Sequence, residues 1–243
     1  LDRLDLPAAM ERIEGFLQEG WPHQVVTVNV RFVTIASQDP AFARVVNGAH
    51  MAVADGMPLI WLSRLMGAPI PQRITGSDLL FHCASLAAQR GHSIFLLGAA
   101  PGVAQEAAWR LVDTYPGLRI AGIHHGYFSQ AEEQEVLRCI RQRRPQFLFV
   151  ALGCPRQEFW IHRHLDELEV PVCVGIGGTL DVISGRLKRA PLWMQRCGLE
   201  WSYRLAQEPR RLWKRYIVED VPTTFRIAGL ALRQRLLARV DHR

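Results

Sequence analysis

The stretch QFLFVALGCPRQEFWIHRHLDELEVPVCVGIGGTLD, residues 146–181, holds two apolar runs separated by a helical pattern. The runs 146–152 and 170–178 are short and almost unbroken, which is typical of strands that are buried on both faces of a sheet. Residues 155–169, between the two runs, have the mixed polar and apolar spacing of a helix. A strand, a helix and a second strand in this order predict two parallel strands joined by a helix.

The same alternation continues over most of the 243 residues. We interpret four more apolar runs as strands and three more segments as helices. The strands are 24–30, 50–55, 92–98 and 118–123, and the helices are 76–91, 101–117 and 129–145. Ser129, with Glu132 three residues later, predicts a capping box at the start of the last of these helices. The sequence therefore predicts an α/β fold, with a Rossmann-like, mostly parallel sheet flanked by helices.

The C-terminal segment differs from this body in pattern and in charge. Strand patterns stop at about Leu199, and residues 199–216 and 222–240 are interpreted as helices. Residues 186–243 contain 14 Arg and Lys against 5 Asp and Glu, whereas residues 1–185 contain 15 against 18. We therefore predict an α/β domain over residues 1–198 and a basic helical appendage over residues 199–243.

Composition excludes several classes of protein. No stretch approaches the roughly 20 apolar residues of a membrane span, and residues 1–20 are acidic and amphipathic, unlike a signal peptide. Five cysteines without a CxxC pair favour reduced thiols, and so a cytoplasmic protein. Because the excess of positive over negative charge is confined to residues 186–243, we expect no nucleic-acid partner.

Polar residues and glycines follow the predicted strands, at the edge where open α/β sheets bind ligands. Thr27 and Asn29 alternate at the end of the first strand, Asp55 ends the second, and Gln157 lies just after the fifth. Glycines in such turns let the backbone approach a nucleotide closely. The turn residues that we single out are Gly98, Gly126, Tyr127, Gly153, Gly177 and Asp181.

These patterns do not select a familiar cofactor. GIGG, residues 175–178, is not a GxGxxG motif, and the turn after the third strand lacks the GK[ST] of a P-loop, which disfavours NAD and that mode of phosphate binding. The histidine pairs 124–125 and 162/164 have no convincing third ligand, so we expect no metal. Asp55, which precedes a glycine and a predicted helix, is open to two interpretations, a helix cap or a functional carboxylate.

The basic appendage is equally open to more than one interpretation. Arg204, Arg211 and Arg215 are spaced to share a helical face, which could neutralise a diphosphate or simply be solvated. Neighbouring aromatic residues suit either a core or the headgroup level of a bilayer. The apolar residues of 225–240 leave three partners open for that helix: the body, lipid, or a second copy of the chain in a homo-oligomer.

Eight motifs, taken in order, resemble the WecG/TagA/CpsF glycosyltransferases (glycosyltransferase family 26). They extend from about residue 4 to about residue 220 and read TVN, ADGMPL, QRITGSDLL, FLLGAAPGVA, GIHHGYF, LGCPRQE, GIGGTLDVISGRLKRAP and GLEWSYRLAQEPRRLWKRY. The resemblance implies an inverting, metal-independent transfer of a sugar from a UDP donor to a polyprenyl-pyrophosphate-linked sugar, in the synthesis of bacterial surface polysaccharides or wall polymers. It also implies a peripheral protein on the inner face of the cytoplasmic membrane, without a cofactor besides the UDP-sugar substrate.

The resemblance also implies roles for particular residues. Asp55 matches the general base that deprotonates the acceptor hydroxyl. Thr27 and Asn29 match positions that line the sugar site, while Arg73 and Gln157 match polar residues near the donor sugar and phosphates.

Further roles concern the nucleotide and the appendage. Gly126, Tyr127 and Asp181 fall in motifs that form the nucleotide pocket. The appendage is implied to close over the site and to bring Arg204 and Arg211 to the pyrophosphate. Where the family pattern leads us to expect another arginine, this chain has Lys214 beside Arg215.

Two other function classes remain as alternatives. One is a nucleotide-dependent oxidoreductase or epimerase on the same fold, and the other is a non-catalytic membrane or nucleic-acid adaptor that uses the basic appendage. Members of the family use N-acetylmannosamine, its uronic acid or glucose as the donor sugar, and the sequence does not select among them.

Overall fold

The structure, a computed structural model, describes residues 1–240, and for Arg196 and residues 234–240 it describes the backbone alone. Residues 241–243 of the predicted appendage lie outside the described residues.

A six-stranded sheet forms the centre of the fold. Its strands are β1 (His23–Val28), β2 (Met51–Ala54), β3 (Ser93–Gly98), β4 (Arg119–His124), β5 (Phe147–Ala151) and β6 (Val172–Gly175). Their order across the sheet is β2-β1-β6-β5-β3-β4, and every neighbouring pair is parallel. All six predicted strands and the Rossmann-like α/β class are therefore confirmed.

Helices cover both faces of the sheet and form the C-terminal segment. They are α1 (Leu6–Glu19), α2 (Val30–Ala36), α3 (Pro40–Asn47), α4 (Met57–Leu65), α5 (Gly76–Arg90), α6 (Val103–Thr114), α7 (Gln130–Arg143), α8 (Arg156–Leu168), α9 (Thr179–Ile183), α10 (Leu192–Arg196), α11 (Glu200–Gln207), α12 (Pro209–Trp213), a π-helical segment (Lys214–Asp220) and α13 (Val221–Val240). The four helices predicted between residues 76 and 169 are α5 to α8. The capping box of α7 is also confirmed, since Ser129 and Glu132 each accept a hydrogen bond from the backbone N–H of the other.

The unbroken apolar runs of the strands are explained by burial on both faces. In β5, Phe147 and Phe149 pack into the cluster that includes side chains of α1, α5 and α6. Leu148 and Val150, which alternate with them, pack into the cluster formed with α7 and α8. All four side chains are fully buried. The sheet therefore has no solvent-facing side along this strand, as parallel sheets require.

The C-terminal segment is more broken than its sequence pattern predicts. The helix expected over residues 199–216 is interrupted at Glu208, which has φ −130° and ψ 57°. Glu208 precedes Pro209, and a residue before proline is pushed out of the helical region by the proline ring. Arg204 therefore lies on α11 and Arg211 on α12, so the single helical face predicted from their spacing does not form.

The appendage nevertheless packs on the body along part of its length. Leu212 and Ala231 are each 2% exposed, and Ile227 and Ala228 pack against the cluster that contains side chains of α2, α3 and α4. The Thr34 hydroxyl of α2 also donates a hydrogen bond to Asp220 Oδ1 at 3.2 Å. The last helix therefore packs on the body, which is one of the three partners considered for it. This contact places α11 and α12 beside the carboxyl edge of the sheet.

Gly98 lies where two strands leave no space for a side chain. Its φ is 126°, and a Cβ at this position would lie 2.4 Å from the backbone oxygen of Ala151 in β5. We expect Gly98→Ala to lower the free energy of unfolding by about 2–4 kcal/mol, measured by denaturant titration. Gly15→Ala is the matched control, because no atom lies within 4 Å of the added Cβ, and it should stabilise α1 by up to about 1 kcal/mol. Equal stability of Gly98→Ala and the wild type would contradict this packing.

Candidate active site

A cleft of about 300 Å³ opens at the carboxyl edge of the sheet, between the strand ends and the appendage. β1 and β6 are neighbours, but the chain leaves β1 towards β2 and leaves β6 towards α9, which packs on α6. Open α/β sheets bind ligands at the carboxyl ends of two neighbouring strands whose following connections run in opposite directions. Nine of the residues predicted from the sequence line this cleft: Thr27, Asn29, Asp55, Arg73, Gly153, Gln157, Gly177, Arg204 and Arg211.

Asp55 follows β2 directly, and its backbone N–H donates to the Val28 oxygen at 2.6 Å. It does not cap α4, because Gly56, with φ 153°, occupies the N-cap position. The helix-cap interpretation is therefore wrong. Burial raises the pKa of Asp55 to about 7; Arg73 and Arg204 oppose this shift, and the charge of Glu200 adds to it. The carboxyl group is thus near its titration midpoint at neutral pH.

Thr27 and Asn29, at the end of β1, present different groups to the cleft. The Thr27 hydroxyl donates to the backbone oxygen of Gly175 in β6 at 2.9 Å, which fixes the orientation of its oxygen. Asn29 occupies the N-cap position of α2 but makes no side-chain cap bond. Its Oδ1 is buried and has no hydrogen-bond partner among the described residues. Because buried polar groups are normally paired, this oxygen is a candidate acceptor for a ligand donor.

Arginines from the body and the appendage meet around the cleft, and several are paired with carboxylates. Arg73 lies 2.7 Å from Glu200 of α11, which joins the body to the appendage across the cleft. Arg211 pairs with Glu208, and Arg215 Nε lies 3.6 Å from Asp220. These arginines are candidates to bind a diphosphate, whose oxygens have the same charge as the carboxylates.

Arg204 forms no ion pair with a carboxylate among the described residues, unlike Arg73, Arg211 and Arg215. Its Nη2 would lie 2.9 Å from a Cβ at Gly178, so the guanidinium reaches the turn that follows β6. Its Nε is buried and has no hydrogen-bond partner in the described part of the chain. An unpaired, buried guanidinium N–H is an unfavourable arrangement that a bound anion would relieve.

Four predicted residues are not among those that line the cleft. Gly98 and Gly126 pack against each other, since a Cβ at Gly126 would lie 3.2 Å from the Cα of Gly98. Tyr127 is 72% exposed. Asp181 lies in the first turn of α9, and burial raises its pKa while Arg211 and Arg204 oppose the shift. Asp181 is thus electrostatically connected to the appendage arginines, and the two glycines have a packing reason to lack side chains.

The cleft also contains charged residues that the sequence analysis did not select. Lys188 and Arg189 follow α9 and line the cleft, where Arg189 lies 3.1 Å from Asp78. Glu200 lines it as well. The basic run 186–189, after the glycine-rich turn at the end of the last predicted strand and the short helix α9, was the available signal for the first two. For the expected arginine of the appendage, Arg215 lines the cleft, whereas Lys214 is exposed and is not among the lining residues.

The described residues contain no group of three or more His, Cys, Asp or Glu side chains that could hold a metal ion. All five cysteines are free thiols, and burial is the main cause that raises the pKa of Cys83, Cys154 and Cys173. Neutral, buried thiols are poor nucleophiles. Among the described residues, Asp55, its polar neighbours and the arginines are the candidate functional groups of the cleft.

Comparison with known proteins identifies the family. A sequence model of the glycosyl transferase WecG/TagA/CpsF family matches residues 1–239. The chain is 38% identical over 193 residues to an N-acetylglucosaminyldiphosphoundecaprenol N-acetyl-beta-D-mannosaminyltransferase of Bacillus spizizenii, which covers 79% of this chain and 74% of the relative. A protein of the same name from Staphylococcus aureus is 35% identical over 188 residues, with 77% and 73% covered. The chain therefore belongs to the WecG/TagA/CpsF family of glycosyltransferases.

Proposed function

We propose that this glycosyltransferase moves N-acetylmannosamine from a UDP donor to N-acetylglucosamine that is linked through a diphosphate to a polyprenyl lipid. The names of the two relatives support the sugar and the acceptor. The observation that carries the chemistry is that Arg73 and Arg204 lie close enough to Asp55 to influence its ionisation in one cleft. A base and fixed cations side by side suit a displacement in which a proton leaves one reactant and negative charge develops on the other.

In the proposed reaction, the Asp55 carboxylate takes the proton from the acceptor hydroxyl. The hydroxyl oxygen then forms a bond to the anomeric carbon of the donor sugar, while the bond from that carbon to the β-phosphate oxygen of UDP breaks. The electron pair of the broken bond leaves with UDP. A single displacement of this kind inverts the configuration of the anomeric carbon.

The departing UDP gains negative charge, which the arginines of the cleft are placed to stabilise. We propose that Arg204 binds the diphosphate through its guanidinium, whose Nε–H lacks a partner among the described residues. Arg73 and Arg211 then exchange Glu200 and Glu208 for phosphate oxygens. Fixed guanidinium groups need little reorganisation when the charge develops. On this proposal the transfer proceeds without a divalent metal.

The pKa of Asp55 gives a pH dependence. Because a general base must be deprotonated, kcat/KM should be maximal above about pH 7 and should fall about tenfold for each pH unit below it. The measurement is a profile of kcat/KM against pH for the wild-type protein with saturating acceptor. A profile that is flat between about pH 5 and about pH 8 would exclude Asp55 as the base with this pKa.

A lipid-linked acceptor requires contact with a membrane surface, and we propose that the appendage provides it from the cytoplasmic side. Among the described residues, no helix is both long and apolar enough to span a bilayer. The appendage and the adjacent α10 expose large apolar side chains beside arginines, a combination that suits the interfacial region of anionic membranes. The most exposed of them are Leu192, Trp193, Trp213, Val218, Phe225 and Leu230.

This proposal predicts which tryptophans matter for vesicle binding. Trp193→Ser combined with Trp213→Ser should weaken binding to anionic vesicles by about tenfold or more. The double variant lacks the two indole rings whose burial in the membrane interface stabilises the bound state. Sedimentation with vesicles of defined composition measures it. Trp109→Ser is the matched control, since Trp109 is 65% exposed on α6, compared with 61% and 53% for Trp193 and Trp213. Equal losses for the control and the double variant would show that the appendage is not the membrane contact.

The assignment of donor and acceptor is tested by UDP release. The protein is given a lipid-diphosphate-linked N-acetylglucosamine and, in separate reactions, UDP-linked N-acetylmannosamine, its uronic acid and glucose. We expect acceptor-dependent release with N-acetylmannosamine and slower release with the other two donors. Acceptor-dependent release with a different sugar would correct the donor, whereas no release with any donor would contradict the proposed reaction. Membership of the family favours a transferase over the oxidoreductase, epimerase and adaptor alternatives.

A further inference from the structure

A second acidic residue, Glu158, is buried beneath the cleft without a role in the reaction described above. It lies in the first turn of α8, and its relative exposure is 0%. Burial raises its pKa to about 7, and the hydrogen bond from Gln157 and the nearby Cys154 thiol oppose that shift. Its Oε2 has no hydrogen-bond partner among the described residues. A buried carboxyl group that is only partly satisfied is unfavourable for folding, so its presence calls for a functional reason.

The hydrogen bonds of Glu158 lead to a residue that lines the cleft. Glu158 Oε1 accepts from Nε2 of Gln157 at 2.6 Å. The other end of the Gln157 carboxamide, Oε1, accepts from the backbone N–H of Gly177 at 3.0 Å. The unprotonated oxygen of a carboxyl group, whether ionised or neutral, can only accept, and a backbone N–H can only donate. The two partners therefore agree on one orientation of the carboxamide, with nitrogen towards Glu158 and oxygen towards Gly177.

The surrounding backbone is shaped to hold this pair. A Cβ at Gly175, the last residue of β6, would lie 2.7 Å from Gln157 Nε2 and 3.0 Å from Glu158 Oε1. Any side chain at Gly175 would thus displace the hydrogen bond between them. The backbone oxygen of Glu158 also accepts from Gln24 Nε2 of β1 at 3.0 Å, which ties the start of α8 to the sheet.

We propose that Glu158 is a positioning residue that acts through Gln157. It fixes the carboxamide so that one N–H of Nε2 is consumed by Glu158 and the second remains available to the substrate in the cleft. The inference rests on the proposed function only for the identity of that substrate, a sugar nucleotide. Glu158 itself does not touch the reacting atoms.

The first test observes the carboxamide directly and does not depend on activity. In the nuclear magnetic resonance spectrum of the full chain, the side-chain NH₂ signals of Gln157 are assigned by their loss in Gln157→Ala. In the wild type they should be separated from the bulk of glutamine signals and slow to exchange with water. Glu158→Met keeps the length of the side chain but removes the acceptor, and it should move both signals to ordinary, fast-exchanging positions. Unchanged signals in Glu158→Met would overturn the proposal.

The second test is a double-mutant cycle on sugar transfer. Glu158→Met and Gln157→Ala should each lower kcat/KM by about tenfold, and Glu158→Met should have almost no further effect in the Gln157→Ala background. Glu158→Gln, which retains an acceptor oxygen, should restore most of the activity lost in Glu158→Met. Losses that multiply in the double variant would mean that Glu158 acts independently of Gln157, and the proposal would fail. If the wild type transfers no sugar, the proposed function fails, and the spectroscopic test still decides the role of Glu158.

Discussion

Asp55→Asn is expected to lower kcat by at least about 10²-fold, because the amide cannot take the proton of the acceptor hydroxyl. The substitution keeps the size of a half-buried side chain whose carboxyl group has a pKa of about 7. The expected loss is therefore chemical and not steric. It is measured as the initial rate of acceptor-dependent UDP release at a pH above about 8, where the wild-type carboxyl is ionised.

The stability of the same variant separates chemistry from misfolding. Asp55 binds its proton more tightly in the folded protein, where its pKa is about 7, than in the unfolded chain, where the reference value is 3.8. Between these values the folded state binds more protons, so ionisation of Asp55 lowers stability as pH rises. Asp55→Asn should thus unfold at an equal or higher temperature than the wild type above neutral pH. A well-folded Asp55→Asn protein with near-normal turnover would remove Asp55 from the role of base.

Arg204→Ala combined with Arg211→Ala should lower kcat by about 10²–10³-fold, with a smaller change in the affinity for UDP. The reason is that the negative charge on the leaving diphosphate increases in the transition state, so guanidinium contacts are worth more there than in the bound donor. Removing Arg204 also removes one of the two cations that favour the ionised form of Asp55. Rates and UDP binding, the latter by calorimetry, are compared for the wild type and the double variant.

Arg210→Ala is the matched control for the double variant. Arg210 is in the same helix as Arg211 and both are exposed, but Arg210 is not among the residues that line the cleft. Its removal should change kcat by no more than about twofold, because an exposed charge that does not line the cleft is screened by solvent from the site. A comparable loss of turnover in Arg210→Ala would mean that total positive charge, and not the two arginines in the cleft, determines the rate.

The fold follows from the sequence wherever local patterns agree with the tertiary structure. Buried parallel strands have unbroken apolar runs, as β5 does, and a capping box such as that of Ser129 and Glu132 marks the start of a helix by itself. The interruption at Glu208 follows from the proline after it, but the long helical pattern of the appendage obscured it. The docking of α13 on α2 and α4 could not be predicted, because its apolar residues lie all around the helix and indicate no preferred face.

The sequence also predicts part of the candidate site. Polar residues at strand ends, such as Asp55 and Gln157, lie together because parallel strands end at one edge of the sheet. The pairing of Arg73 with Glu200 depends on where the appendage lies, and the two residues are 127 positions apart in the chain. The raised pKa of Asp55 likewise depends on burial, which no local pattern reveals. Gly98 was predicted to belong to the site but does not line the cleft. A glycine that strand packing requires has the same sequence signal as a glycine that ligand binding requires.

The central claim is a metal-independent transfer of N-acetylmannosamine to a diphosphate-linked acceptor, and analysis of the lipid product in EDTA tests it most directly. The full chain is incubated with UDP-N-acetylmannosamine and a polyprenyl-diphosphate N-acetylglucosamine, and the lipid fraction is examined by mass spectrometry. We predict that the acceptor gains one N-acetylhexosamine at the same rate with and without EDTA, and that Asp55→Asn forms almost none. An acceptor that remains unmodified, or a product that appears only when divalent metal is present, would contradict this account.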